Sequence, residues 1–95
     1  MVIRISDLVP SADTAEQGSP VLAELQKSLS SGEVVVVSFE GIPTATSSFV
    51  NAAFVPLVSA FGLPAIKQRL RVVNSTRQIN SLIKARLERV ASLKL

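Results

Sequence analysis

Gly32-Glu33-Val34-Val35-Val36-Val37-Ser38-Phe39-Glu40-Gly41 is followed by Ile42-Pro43-Thr44-Ala45-Thr46-Ser47-Ser48-Phe49, and then by an apolar run that ends at Phe61-Gly62. The four valines are too β-branched for a preferred helix and too unbroken for a half-exposed strand. Such a run predicts a central strand, Glu33 to Phe39, covered on both faces. Glu40-Gly41-Ile42-Pro43 breaks it. Thr44, Thr46, Ser47 and Ser48 then place four hydroxyls near the next helix start, with Thr46 or Ser47 as the cap. Phe49, Ala52, Ala53, Leu57, Ala60 and Phe61 recur at helical spacing. Pro56 interrupts them, because a proline inside a helix removes a backbone bond and clashes with the carbonyl four residues back. The expectation is a kink near 52–56, or two abutting helical pieces.

Outward from this unit, the chain alternates. Val2 to Ile5 predicts a first strand at a sheet edge, and Asp7 to Gly18 a polar loop. Ser19-Pro20 opens a helix whose Val21, Leu22, Leu25 and Leu29 share a face, with Gly32 as its stop. After Gly62, a short turn or half-helix leads into a third strand, Leu70 to Val73. Ser75 and Gln78 have capping-box spacing. They precede a last helix with Ile79, Leu82, Ile83, Leu87, Val90 and Leu93 on one stripe. Strand-helix alternation of this kind predicts an α/β fold: a small, mainly parallel or mixed sheet of three to four strands with helices packed on it. Loops at the strand C-terminal ends gather on one edge, where partner sites of open α/β sheets lie. The Gly41–Ser48 turn is one of them.

The 95 residues form a single domain, 1–95, and 47% of them are hydrophobic, which argues against disorder. The N-terminus lacks a leader pattern, and no run reaches the ~18–20 apolar residues of a membrane span. The chain therefore reads as soluble and cytoplasmic. There is no histidine and no cysteine, which removes the usual acid/base residue, the thiol nucleophile and most transition-metal sites. The four glycines are scattered and form no phosphate loop, and the carboxylates show no tight pairing. These features predict a non-enzymatic protein with no metal and no cofactor.

Charge is uneven. Residues 1–66 carry Arg4 and Lys27 against six carboxylates, −4; residues 67–95 carry eight cations against Glu88, +7. Arg77, Lys84, Arg86 and Arg89 form the basic face of the last helix. A basic third can meet nucleic acid, an acidic protein or water alone. All four Phe read as core, and with no Tyr or Trp present none is left for stacking on bases.

From Val34 to Phe54 the sequence resembles the STAS-like family of unknown function. The pattern is an apolar strand, Phe39-Glu40-Gly41, a few polar residues, Ser47-Ser48-Phe49, then an Ala- and Phe-bearing helix with Pro56-Leu57. The resemblance covers roughly residues 30–90. It is similar to the STAS domains, named for sulfate transporters and anti-sigma factor antagonists. In bacterial antagonists of that kind, the turn after the central strand carries an acidic residue, two hydroxyl residues and a glycine. An ATPase-type kinase partner phosphorylates one hydroxyl, the phosphate weakens binding, and a phosphatase resets it. By position Thr46 stands at the acidic residue, Ser47 and Ser48 at the hydroxyl pair, and Phe49 at the glycine. Ser38 stands where many relatives have Asp.

The resemblance implies a regulatory protein-interaction module that binds an ATPase or kinase through the Gly41–Ser48 turn and the following helix. Its candidate phosphorylation and binding residues are Ser47, Ser48, Thr46 and Thr44, with Gly41, Ile42, Phe49 and Asn51 as partner surface. The alternatives are a nucleic-acid-binding accessory protein using the basic third, or a structural homodimer built on the apolar stripe and an edge strand.

Overall fold

The computed structural model describes residues 1–93, with side chains described through Ala91. Lys94 of the charge count, and the side chain of Leu93 in the apolar stripe, lie outside the described residues. The element order is β1 (Val2–Arg4), α1 (Ile5–Leu8), α2 (Ala15–Ser30), β2 (Val35–Ser38), α3 (Ser47–Ala53), α4 (Val55–Phe61), α5 (Leu63–Arg69), β3 (Leu70–Val73) and α6 (Arg77–Leu93). The strands form one sheet in the order β1-β2-β3, with both pairs parallel. The α/β expectation therefore holds, with three parallel strands and helices packed on them.

Three of the four valines, Val35 to Val37, lie in the central strand, and Val34 precedes it. One face of the strand is fully buried, whereas the other, with Val36 half-buried and Ser38 buried at the strand end, is open at its margins. In register, Ile3, Val37 and Val72 lie side by side, as do Val35 and Leu70. Ile3, Val35 and Val37 are at most 5% exposed. On the opposite face Val2 is 65% exposed, Val34 49% and Val73 38%, with Arg4 and Arg71 beside them. The topology explains this. Right-handed crossovers that step the same way across a sheet lay their helices on one side. The order β1-β2-β3 never reverses, so nothing returns to cover the other side. Val37→Ala is expected to lower stability by about 2 kcal/mol or more. Val34→Ala, three residues away on the open face, is expected to change it by no more than about 0.5 kcal/mol. Urea melts of the two variants check this difference.

The 7–18 segment is not a loop throughout. Ile5–Leu8 is a short helix, and α2 begins at Ala15, earlier than the Ser19-Pro20 entry predicted. Thr14 and Gln17 form a reciprocal capping box: Thr14 Oγ1 accepts from Gln17 N–H, and Gln17 Oε1 accepts from Thr14 N–H. This cap overrides Pro20, which sits exposed in the second turn of the helix. Gly18 then lets α2 approach α3 at backbone distance.

The break near Pro56 is present. α3 ends at Ala53 and α4 starts at Val55, with Pro56 in its first turn, where the missing N–H is harmless. Phe54 is the joint. It stacks on Phe39 at 6.3 Å and meets Phe49 edge-on at 6.4 Å. The segment after Gly62 is a full two-turn helix, α5, again with its proline near the start. The stripe of α6 is consumed in the core: Ile79, Ile83 and Leu87 are buried. No single helix among the described residues is long and apolar enough to cross a membrane.

Candidate functional site

The turn after β2 is built by local rules. Phe39 to Ile42 close a tight turn, with Ile42 N–H donating to Phe39 O at 2.8 Å. Gly41 holds the positive φ of 82° that the third residue of such a turn requires. Ser38, at the end of β2, is buried, and its Oγ accepts from Asn74 Nδ2 at 3.0 Å and from Glu40 N–H at 3.3 Å. Asn74 itself has φ 54°, a conformation Asn tolerates better than most residues. The ends of β2 and β3 are thus tied together at the C-terminal edge of the sheet. An open depression of about 360 Å³, lined by Phe39, Gly41, Ile42, Pro43, Asn74 and Thr76, lies between them.

The next residues are braced from two sides. Thr46 is the N-cap of α3, as the sequence suggested. Its Oγ1 accepts from Phe49 N–H at 3.2 Å and donates to Asp13 O at 2.6 Å, while Thr46 N–H donates to Ala12 O at 3.0 Å. From the other side Gln78 grips Ala45 twice: Oε1 accepts from Ala45 N–H at 3.2 Å and Nε2 donates to Ala45 O at 3.0 Å. Gln78 was expected in a capping box with Ser75, and that box does not form. Thr76 caps α6 instead, its Oγ1 accepting from Ile79 N–H, and Ser75 Oγ donates to Asn80 Oδ1. The side chain of Gln78 does more by completing a neighbouring loop than by closing its own helix.

The four hydroxyls therefore have different standing. Thr46 is committed to the cap. Ser47 is half-buried, and its Oγ accepts from the Arg86 guanidinium at 3.0 Å. Thr44 and Ser48 are exposed, with no hydrogen bond to either hydroxyl from the described residues. Gly41 and Asn51 are exposed as expected. Ile42 and Phe49, expected on the partner surface, are instead core, 4% and 0% exposed. Phe49 turns inward because it is the first large apolar residue of α3 and joins the aromatic cluster around Phe54.

The basic residues do not form one patch. Lys84 and Arg86 are two positions apart on α6, about 200° around a helix. Arg86 faces Ser47, whereas Lys84 lines a cleft with Lys67. Of the eight C-terminal cations, Arg69 is structural: it donates to Leu29 O at 3.1 Å and lies over the Phe61 ring at 5.9 Å. The Ser47–Arg86, Thr46–Asp13 and Gln78–Ala45 contacts join residues at least 33 apart. None of them is marked by a local sequence pattern.

A comparison with protein-family models matches residues 17–80 to the family described as a STAS-like domain of unknown function. The match runs from the first turn of α2 to the first turn of α6 and includes β2, the whole turn and β3. No curated protein and no solved structure gives a match. The matched residues are more than half of the chain and contain the central strand and the braced turn, and the chain belongs to this STAS-like family.

Proposed function

We propose that this chain is a non-enzymatic regulatory module that binds a partner protein, of ATPase or kinase type, through the exposed part of the Gly41–Ser48 turn and the start of α3. The observation that carries this reading is the contrast between a rigid backbone and free side chains. The turn is pinned at Ser38, Ala45 and Thr46, yet Thr44, Ser48 and Asn51 stand in solvent. A partner surface of this kind binds without an ordering cost for the loop. Ser48 is the accessible hydroxyl for a phosphate switch. A phosphate there adds about −1.5 to −2 charges at pH 7, which repels a partner fitted to the neutral turn. Ser47 is the second acceptor, and its neighbour Arg86 would pair with a phosphate placed on it.

The test is affinity capture from the native host with wild type and Ser48→Glu, together with mass spectrometry of the peptide spanning 44–54. The expected result is an ATPase-type protein retained by wild type and lost by the variant, with phosphate on Ser48 or Ser47. Ser48 is exposed, so the fold should be unaffected and far-UV CD should be superimposable. Identical proteins captured by both chains, with an unmodified peptide, would refute the reading.

Pairing of two copies is a second reading, favoured by the open sheet face with its exposed Val2, Val34 and Val73. Sedimentation equilibrium of wild type against Val34→Lys decides it: a dimer that the lysine dissociates supports it, and a monomeric wild type ends it.

A further inference from the structure

Opposite β1, the sheet ends on β3, and its outer edge is unpaired among the described residues. The hydrogen-bond phase of a parallel ladder follows from one bond, because alternate residues bond to alternate sides. Phe39 N–H donates to Val73 O. Val73 and Arg71 therefore bond inward to β2, and the N–H and C=O of Val72 point outward. Above this edge lies a cleft of about 310 Å³ between α5 and α6, floored by Leu70 and Val72 and walled by Ile66, Ile83 and Leu87. Its rim carries Lys67 and Lys84, against Glu88, which sits 3.9 Å from Lys67. On the other face of the same edge, Arg71 is exposed and has no carboxylate partner among the described residues.

We propose that the free edge of β3, with the apolar cleft on one side and Arg71 on the other, is a docking groove for an extended acidic segment of a partner protein. The segment adds a fourth strand to the sheet. Side chains of a strand alternate between faces. Apolar residues of the added strand enter the cleft beside Leu70 and Val72, and the intervening carboxylates fall on the open face opposite Arg71, where charge complementarity selects them. Backbone pairing with Val72 supplies the affinity and the two faces supply the specificity. This groove is separate from the Gly41–Ser48 turn and does not depend on that reading.

The experiment is an amide NMR titration of the full chain with four probes. One is a capped ten-residue peptide of alternating Val and Glu, and the second is its Val/Lys counterpart. The third is a Val/Glu peptide of the same length interrupted by two prolines, and the fourth is a ten-nucleotide oligothymidylate. The expected result is saturable shifts with the Val/Glu strand alone, centred on Leu70–Val73 and Ile83–Leu87. Exchange of the Val72 amide should slow at least tenfold. Arg71→Glu, at an exposed site, should weaken binding about tenfold while leaving the free spectrum otherwise intact, and Arg71→Lys should restore most of it. Equal shifts with the proline-interrupted peptide, shifts centred on Gly41–Ser48 or on Val34, or a response to the oligonucleotide in place of the peptide would each overturn the proposal.

Discussion

Gly18→Leu is expected to abolish folding, and Gly18→Ala to lower stability by about 1–3 kcal/mol. In an isolated helix the alanine change would be favourable, because glycine is about 1 kcal/mol worse than alanine in a helix interior. Tertiary packing reverses the sign here. A Cβ built on Gly18 would lie 2.7 Å from Ala52 Cβ, 2.9 Å from Phe49 O and 3.0 Å from Ala53 N. Two of these three neighbours are backbone atoms of α3, so no side chain can rotate away, and α2 must separate from α3. The contact between these two helices is the most extensive in the fold, and loosening it exposes Val21 and Leu25 as well. Urea denaturation followed by CD gives the loss for Gly18→Ala. The double variant Gly18→Ala, Ala52→Gly should recover only part of it, since it relieves one contact and leaves the two backbone ones. Full recovery, or a stabilised Gly18→Ala, would show that the helices are not in backbone contact.

Phe54→Ala is expected to cost about 3–5 kcal/mol, against a total of roughly 5–14 kcal/mol for a chain of this length. Phe54 is fully buried at the joint between α3 and α4, with φ −117° and ψ −38°. Its ring meets Phe39 of the sheet side and Phe49 of α3, so one truncation removes two aromatic pairs and leaves a cavity under both helices. Its backbone also carries the chain across the break: Phe54 N–H donates to Val50 O, and Leu57 N–H donates to Phe54 O. Phe54→Leu keeps most of the volume and is expected to lose less than half as much. Thermal melts of the two variants check the ratio. Equal, small losses would mean that the joint repacks and that the aromatic cluster is not the keystone of the core.

Much of the architecture was legible from residue types because it follows from local chemistry. β-branching along Val34–Val37 names a strand wherever it sits. A proline at position 56 must start a helix or break one, and here it starts α4. Thr46 caps α3 because a hydroxyl two or three residues ahead of free N–H groups satisfies them whatever surrounds it. The Thr14–Gln17 box obeys the same rule, but Pro10 and Gly18 among small polar residues point to a loop, and Ser19-Pro20 offers a later helix start. Pro20 lies on the exposed side of α2, and Gly18 is required by the close approach of α3.

What the tertiary structure alone decided is the set of relations between distant residues. Nothing in Gln78 says that it will brace Ala45, and nothing in Arg86 that it will face Ser47, since each depends on where two crossovers set α6 beside α3. The same holds for burial at a given position. Ile42 is an apolar residue in a polar turn, and Phe49 at the start of α3 reads both as core and as partner surface; the packing of α3 decides that both are buried. The valine run determined that β2 is the central strand. It did not determine that one face stays open, because that depends on the order of the strands and the shared side of their crossovers, a property of the whole chain path that no single stretch encodes.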